Sequence, residues 1–256
     1  MEPAISFRET GIRYRRWRRN RHRTALRRGG VPRTHLWGIR DVTFEVGRGA
    51  YIGVIGANGA GKTTLLLAGV GVLQPDEGVV HVRGRAAAVL GVGTGLVPQL
   101  TGWDNVELIS VLLGLSSREA RDLAPEIAAF SGLGDFLDSP VRTYSAGMRA
   151  RLGFSVVVHC GADVLLLDEV RAVGDEEFRE RSAVRLQELR EAGCTILMAT
   201  HDLDAITETA DRVAWLDHGS LIDIGAPAEV VSRYRATIEH DPGLRPPHRT
   251  TGADPA

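Results

Sequence analysis

Lysine is almost absent from this sequence. Of its 31 lysine and arginine residues, Lys62 is the one lysine. A single lysine in an arginine-rich chain indicates a position where a planar guanidinium cannot replace a compact ammonium group on a flexible stem. The formal net charge is −1, so the whole chain lacks the strong positive charge of many nucleic-acid-binding proteins.

Cysteine is scarce and long apolar runs are missing. Cys160 and Cys194 have neither CxxC spacing nor a neighbouring histidine cluster, which predicts two reduced thiols beside buried strands of a cytosolic protein. No apolar run approaches the ~20 residues that span a bilayer, and the N-terminus lacks the apolar segment of a secretory signal. We therefore expect a cytoplasmic protein whose membrane role, if it has one, comes through a partner.

Apolar strands alternate with helices along most of the chain. Residues 51–55, 163–167 and 194–198 are continuous apolar strands, as in a parallel sheet covered on both faces. A charged helix is predicted between the last two, at residues 176–191. This alternation predicts the α/β class and one large domain at residues 1–240.

Several shorter segments complete this outline. Residues 4–14 predict an edge strand or a strand pair, and residues 62–72 predict a helix that is followed by a turn at 74–78. The pattern is lost after Tyr234, and residues 241–256, which contain four prolines and two glycines, predict a disordered tail.

Residues 56–63, GANGAGKT, match the phosphate-binding pattern GxxxxGK[ST] between a predicted strand and a predicted helix. Glycines let backbone N–H groups surround phosphate oxygens, and the helix N-terminus adds partial positive charge. Lys62 is expected to reach the β- and γ-phosphates, and the Thr63 hydroxyl to bind Mg²⁺. The residues predicted to hold the nucleotide are Gly56, Asn58, Gly59, Gly61, Lys62, Thr63 and Thr64.

Residues 163–169, DVLLLDE, form an apolar strand that ends in two acids. Asp168 is expected to hold Mg²⁺ through water, and Glu169 to orient and activate the attacking water. The two motifs together predict a P-loop NTPase. They leave GTPases, helicases and small-molecule kinases open.

Residues 144–149, YSAGMR, begin the signature segment and resemble the LSGGQ signature of ABC transporter ATPases, at the spacing before Asp168 that this family shows. The resemblance implies a RecA-like core with an antiparallel β subdomain and a helical subdomain inserted at about residues 96–155. It also implies that two copies sandwich two ATP molecules. Ser145 and Gly147 would then contact the γ-phosphate of ATP bound to the opposite protomer.

Two further segments resemble the same family. Residues 172–175, AVGD, look like the D-loop, which would bring Asp175 to the dimer interface beside the nucleotide. Residues 199–202, ATHD, look like the switch segment, in which His201 would touch the γ-phosphate and the attacking water.

The runs LTGWDNV (100–106), YSAGMRARLGFS (144–155) and LLLDEVRAVGD (165–175) are similar to ATP-binding subunits of polysaccharide exporters. This likeness implies a separate membrane permease, a place at the cytoplasmic face of the membrane, and a substrate such as O-antigen, capsule, teichoic acid or galactan. Two alternatives stay open, the motor of a drug or lipid exporter and a soluble, non-transport ABC ATPase.

Other assignments stay open in the sequence. Gln99 resembles a Q-loop glutamine, although alignment on the LTG run moves that position nearer Val92. Arg171 stands where relatives usually have an apolar residue. For stacking on adenine, the resemblance favours Tyr14, with Trp17 and Trp37 as rivals.

The segment from Arg13 to Arg33 contains ten arginines. One interpretation is a solvated basic surface loop. Another is contact with anionic lipid headgroups or with the pyrophosphate of a lipid-linked glycan, since guanidinium groups bind phosphate in a bidentate manner. Nucleic acid is disfavoured by the near-neutral net charge and by the few interleaved aromatic residues.

Overall fold

The computed structural model describes residues 2–15, 35–91, 95–168 and 175–240. Its strands are β1 (Ile5–Arg15), β2 (His35–Val46), β3 (Tyr51–Ile55), β4 (Glu77–Val82), β5 (Ala86–Leu90), β6 (Val164–Asp168), β7 (Thr195–Ala199), β8 (Arg212–Asp217) and β9 (Ser220–Gly225). Its α-helices are α1 (Lys62–Gly69), α2 (Gly102–Leu112), α3 (Ser117–Ser131), α4 (Ala146–His159), α5 (Glu176–Glu191), α6 (Leu203–Thr209) and α7 (Pro227–His240).

The central sheet has the strand order β5-β6-β7-β3-β8-β9 and is parallel except for β9, which runs antiparallel to β8. Strands β3 and β7 are buried along their whole length, because helices cover both faces of the sheet. Since β6, β7 and β3 are neighbours and parallel, their carboxyl ends lie at one edge of the sheet.

A second, antiparallel sheet has the order β2-β1-β4. Its buried face joins the main core, where the rings of Phe7 and Phe44 stack at 4.8 Å. This sheet carries the end of β1 and the start of β2 toward α1. The predicted α/β fold with an antiparallel β subdomain is therefore confirmed.

Helices α2, α3 and α4 pack into a separate apolar cluster that contains Val106, Ile127 and Leu152, all without exposed surface. Serine and threonine capping boxes start two of these helices, at Thr101 for α2 and at Ser116 for α3. Each hydroxyl accepts a backbone N–H that has no partner within the helix. These helices form the predicted helical subdomain, and α4 extends past residue 155 to His159.

The structure corrects several predicted boundaries. Helix α1 ends at Gly69, before the predicted residue 72. Glu77 and Gly78, predicted as part of a turn, belong to β4. The chain stays helical beyond Tyr234, because α7 runs to His240 and packs the Tyr234 ring on Trp215 at 5.4 Å.

Four other sequence predictions concern the two thiols, the absence of membrane spans, the arginine-rich segment and the predicted tail. Cys160 and Cys194 are buried and free, and burial raises the pKa of the Cys194 thiol to about 11. Among the residues that the structure describes, no helix is both long and apolar enough to cross a membrane. The predicted tail at 241–256 and most of the arginine-rich segment, residues 16–33, lie outside the described residues.

Candidate functional site

The predicted phosphate loop connects the end of β3 to the first residue of α1. Gly61 adopts a φ of 105°, and a Cβ there would lie 2.4 Å from the Gly38 carbonyl oxygen of β2. A Cβ on Gly56 would lie 2.2 Å from the Leu216 carbonyl oxygen of β8. Glycine is therefore required at both ends of the loop, where backbone segments approach too closely for a side chain.

The turn between β8 and β9 supports the loop from behind. Gly219 donates its N–H to the Ala60 carbonyl at 3.0 Å and accepts the N–H of Arg40 at 2.7 Å. The loop is thus tied to both sheets, and its conformation is set before any phosphate arrives. Asn58 and Gly59 are exposed at its tip.

Lys62 is buried, with 7% of its surface exposed, and its ammonium group lies inside the loop. Nζ donates to the carbonyl oxygens of Gly56 at 2.8 Å and Ala57 at 3.1 Å. It also lies 3.3 Å from Nε2 of His201. Because an ammonium group only donates, a hydrogen bond to His201 requires the neutral imidazole with its proton on Nδ1. The predicted lysine and switch histidine are therefore in contact.

Thr63 and Asp168 come together although they are far apart in sequence. The Thr63 hydroxyl donates to a carboxylate oxygen of Asp168 at 2.6 Å. A hydroxyl and a carboxylate at the N-terminus of α1 are the oxygen ligands that Mg²⁺ prefers beside substrate phosphates. The residues present therefore fit a magnesium–nucleotide group, with the backbone amides of the loop and Lys62 facing the phosphates.

Tyr14 lies next to the phosphate loop, with 40% of its surface exposed. Its hydroxyl is 3.1 Å from the Thr64 hydroxyl, and its ring covers Gly38. Its rival Trp37 has two guanidinium groups against its ring, with the ring centroid 5.1 Å from the guanidinium carbon of Arg13 and 5.3 Å from that of Arg40. Of the two described aromatics, Tyr14 has the ring that borders the nucleotide-binding residues, and its stacking on adenine stays a prediction. Trp17 lies outside the described residues.

Ser145 and Gly147 are exposed at the N-terminus of α4. The Ser145 hydroxyl accepts the N–H of Met148 at 3.2 Å and caps the helix. Within the described chain, a Cβ on Gly147 would meet Ser145 Oγ at 3.9 Å and no closer atom outside its local backbone. The fold itself therefore does not require glycine here, which suits a residue that another molecule approaches.

Asp175 also has a structural role, which was not among its predicted roles. Its carboxylate accepts the N–H of Phe178 at 2.9 Å and caps α5. It also pairs with Arg151 of α4 at 3.1 Å. The Phe178 hydrogen bond, aided by Arg151, holds the pKa of this carboxyl below its usual range. Its contact with the nucleotide of a second copy stays a prediction.

The predicted positions Glu169, Arg171 and Val92 also fall outside the described residues. Gln99 is described and is exposed in a turn that the Leu100 N–H closes on the Val97 carbonyl at 3.2 Å. The described contacts do not bring Gln99 to Thr63 or Asp168, so its role at Mg²⁺ stays a prediction.

Sequence reasoning missed two polar residues of the helical subdomain. Arg151 donates to the carbonyls of Ser131 and Gly132 as well as to Asp175. Asn105 has no exposed surface and bonds the backbone of residues 97–101. For Asn105, the available signal was an uncharged amide next to Val106, near the start of a helix.

Comparison with known proteins gives a family match. The ABC transporter family model matches residues 39–172. The O-antigen export system ATP-binding protein RfbB of Myxococcus xanthus is 38% identical over 84% of this chain and 50% of its own length. The protein of that name from Klebsiella pneumoniae is 40% identical over 78% of this chain and 81% of its length. The teichoic acids export ATP-binding protein TagH of Levilactobacillus brevis is 40% identical over 82% and 58%.

Solved structures agree with this fold. A dimeric bacterial ABC transporter cassette superposes with a TM-score of 0.72 at 20% identity, over 87% of this chain and 98% of that one. An ATP-binding subunit of an ABC transporter gives 0.74 at 21% identity, over 91% and 93%. The chain spans only about half the length of some curated relatives, as the Myxococcus protein shows. With the family model and the site geometry in agreement, this chain belongs to the ABC transporter family of ATP-binding proteins.

Proposed function

We propose that this chain binds ATP with Mg²⁺ and hydrolyses it to drive export of a polysaccharide or lipid-linked glycan through a membrane permease. The observation that carries the proposal is the meeting of Lys62 with His201, and of Thr63 with Asp168, at one sheet edge. Phosphoryl transfer depends mainly on positioning and on stabilising charge, which these groups supply. Glu169, directly after Asp168, is the proposed base.

The motor is proposed to work as a dimer of two identical chains. Ser145 and Gly147 are exposed at a helix N-terminus, where N–H groups and the helix dipole favour an anion. In the proposed sandwich, this end of α4 contacts the γ-phosphate held by the other copy. ATP binding would close the dimer and hydrolysis would open it.

A permease is the proposed membrane partner, which would place this chain at the cytoplasmic face of the membrane. The helical subdomain exposes large apolar side chains, with Trp103 38%, Leu112 72% and Phe136 59% exposed. Large apolar side chains that a subdomain leaves exposed are candidates for contact with another protein.

A glycan substrate is proposed because the similar proteins are named for O-antigen and teichoic acid export. The arginines from Arg13 to Arg33 are proposed to contact anionic lipid or the phosphates of a lipid-linked glycan. Arg13 itself is engaged within the fold, since it stacks on Trp37 and lies 3.7 Å from Asp76. The proposal therefore rests on the arginines that follow it.

The first experiment compares ATP hydrolysis by the wild type and by Glu169→Gln, with dimer formation followed in ATP and Mg²⁺. We expect turnover by the wild type and an ATP-bound dimer of the variant that barely hydrolyses. Equal turnover by both proteins would show that Glu169 is not the base. Loss of ATP binding in Glu169→Gln would mean that the variant is defective in nucleotide binding at the phosphate loop and not in hydrolysis.

The substrate is tested by export in cells. The host is a bacterium that lacks the ATP-binding subunit of its O-antigen exporter. It is supplied with this chain and with the permease that is encoded beside the gene for this chain. Surface polysaccharide should appear with the wild type and not with Glu169→Gln. If resistance to apolar drugs appeared instead, the glycan assignment would be replaced by the drug-exporter alternative.

A further inference from the structure

Asn105 is a fully buried amide in the first turns of α2. Its Oδ1 accepts the N–H of Val97 at 2.7 Å, and its Nδ2 donates to the Val97 carbonyl at 3.0 Å. Nδ2 also donates to the carbonyls of Leu100 at 3.3 Å and Thr101 at 2.8 Å. Backbone N–H groups only donate and carbonyls only accept, so these partners fix the orientation of the amide.

The segment that Asn105 holds is bonded in turn to the chain just before the signature. We call residues 97–101 together with residues 140–142 the clasp. Its bonds are Val141 N–H to the Leu100 carbonyl at 2.9 Å, Arg142 N–H to the Pro98 carbonyl at 2.8 Å, and an antiparallel bridge between Thr101 and Pro140.

The clasp leads directly into the signature. A single 3₁₀ turn, Val141–Thr143, begins inside the clasp and continues past it, and the Tyr144 N–H donates to the Val141 carbonyl at 3.0 Å. The Tyr144 hydroxyl bonds the Phe136 carbonyl at 2.6 Å, and Ser145 then caps α4. The path of the chain is therefore bonded at every step from the clasp to Ser145.

The other end of the clasp comes from the sheet edge that carries the magnesium-site carboxylate. β5 ends at Leu90, which is paired with Asp168 of β6. From residue 95 the chain continues into the clasp, where the Asn105 side chain forms hydrogen bonds with the backbone of residues 97–101. Asn105 thus fixes one segment that comes from the neighbourhood of Asp168 against another that leads to Ser145.

We propose that Asn105 is a positioning residue for the signature, because it holds the clasp and the clasp sets where Ser145 and Gly147 stand. This rests on the proposed function, in which those residues act on ATP held by a second copy. Loosening the clasp would then impair closure of the dimer and hydrolysis. ATP binding to the chain's own phosphate loop would stay intact, since the described contacts of the clasp do not reach the loop.

The rival explanation is that Asn105 only stabilises the fold, as buried hydrogen-bonded amides commonly do. Two variants separate the explanations. In Asn105→Ser, the hydroxyl can still bond the Thr101 carbonyl one turn back, but it is too short to reach Val97 and Leu100. Val106→Ala removes fully buried apolar packing at the next residue of α2 and leaves the bonds of the clasp in place.

Each variant is measured for thermal unfolding, ATP affinity and steady-state ATP hydrolysis, with Ser145→Ala as a reference. We expect Asn105→Ser to lower kcat roughly 10- to 100-fold, because a displacement of about 1 Å far from the reacting atoms can cost about 100-fold. Its ATP affinity should match the wild type. Val106→Ala should unfold at a lower temperature but hydrolyse ATP normally. With Glu169→Gln added, Asn105→Ser should form less ATP-dependent dimer.

Two results would overturn the inference alone: normal turnover by Asn105→Ser while Ser145→Ala is impaired, or equal losses in Asn105→Ser and Val106→Ala that follow their unfolding temperatures. A wild type without ATP hydrolysis, or a fully active Ser145→Ala, would overturn the proposed function and the inference together.

Discussion

Alanine at Gly61 and at Gly59 gives two nearly matched perturbations of the phosphate loop. Both glycines have positive φ, 105° at Gly61 and 80° at Gly59. Around Gly59, a Cβ would meet nothing within 4 Å in the described chain, whereas a Cβ at Gly61 would lie 2.4 Å from the Gly38 carbonyl oxygen and 2.9 Å from Ile39. The two variants therefore share backbone strain, and only Gly61→Ala adds a collision with β2.

The magnitudes follow from these contacts. A left-handed conformation costs an alanine about 1–2 kcal/mol, and the stiffer unfolded chain returns about 0.4–1 kcal/mol. Gly59→Ala should thus lower the free energy of unfolding by roughly 0–1.5 kcal/mol. Overpacking adds about 1–3 kcal/mol at Gly61, because the colliding atom belongs to the backbone and cannot rotate away.

Thermal unfolding without nucleotide measures the difference between the two variants. For a chain of this size about 1 kcal/mol corresponds to about 2–4 °C in Tm, so Gly61→Ala should melt at least about 2 °C below Gly59→Ala. Equal melting temperatures would refute the reasoning, because the close approach of Gly61 to β2 would then impose no constraint.

Three further predictions test other parts of the molecule. Tyr14→Ala should weaken ATP binding about 5- to 150-fold, since stacking is worth about 1–3 kcal/mol per base; Tyr14→Phe keeps the ring and should bind almost as the wild type does in a titration. Asp175→Asn keeps a helix cap but loses the charge that faces Arg151, so it should melt close to the wild type. A double-mutant cycle with Arg151→Gln should show a coupling between the two residues that is larger in kcat than in Tm. Burial lowers the pKa of the His159 imidazole, so below the ordinary value of about 6.5 the unfolded chain binds more protons and stability falls with falling pH; the urea midpoint of His159→Gln should fall less than that of the wild type between about pH 7.5 and pH 5.5.

The sequence predicted the phosphate loop and its flanking elements well because local chemistry determines them. One structure, a phosphate loop between a strand and a helix, is typical of a buried strand followed by glycines at fixed offsets and a lysine at the helix start. Accordingly, β3 and α1 begin at the predicted residues. Asp168 was also found from a local signal, since it ends an apolar strand, whereas His201 was assigned from the resemblance of residues 199–202 to the switch segment. Parallel strands then bring their carboxyl ends to one edge, which explains the contacts of Asp168 with Thr63 and of His201 with Lys62.

The clasp and the Arg151–Asp175 pair could not be predicted, because their partners are backbone groups and side chains distant in sequence. Asn105 bonds carbonyls whose positions depend on how residues 97–101 meet residues 140–142. Similarly, Asp175 was assigned to the dimer interface from its motif alone. An aspartate directly before the predicted helix at 176–191 is a typical N-cap residue, so its capping of α5 had a local signal, whereas its pair with Arg151 of α4 had none.

The contacts of Lys62 relate the folded chain to its proposed cycle. The ammonium group donates to two carbonyls of its own loop and lies against His201, so phosphate oxygens must replace groups that already accept from its N–H groups. Net affinity therefore comes from the excess of charge-assisted bonds over these internal ones. If a phosphate oxygen takes the place of His201 beside Lys62, the imidazole can donate to the γ-phosphate from Nε2 only after that nitrogen gains a proton, because the ring that accepts from Lys62 carries its proton on Nδ1. Nucleotide binding and the hydrogen bonding of His201 are thus expected to be linked through Lys62. This linkage depends on the short ammonium group, and it offers a physical reason why a chain with 30 arginines keeps a lysine at this position.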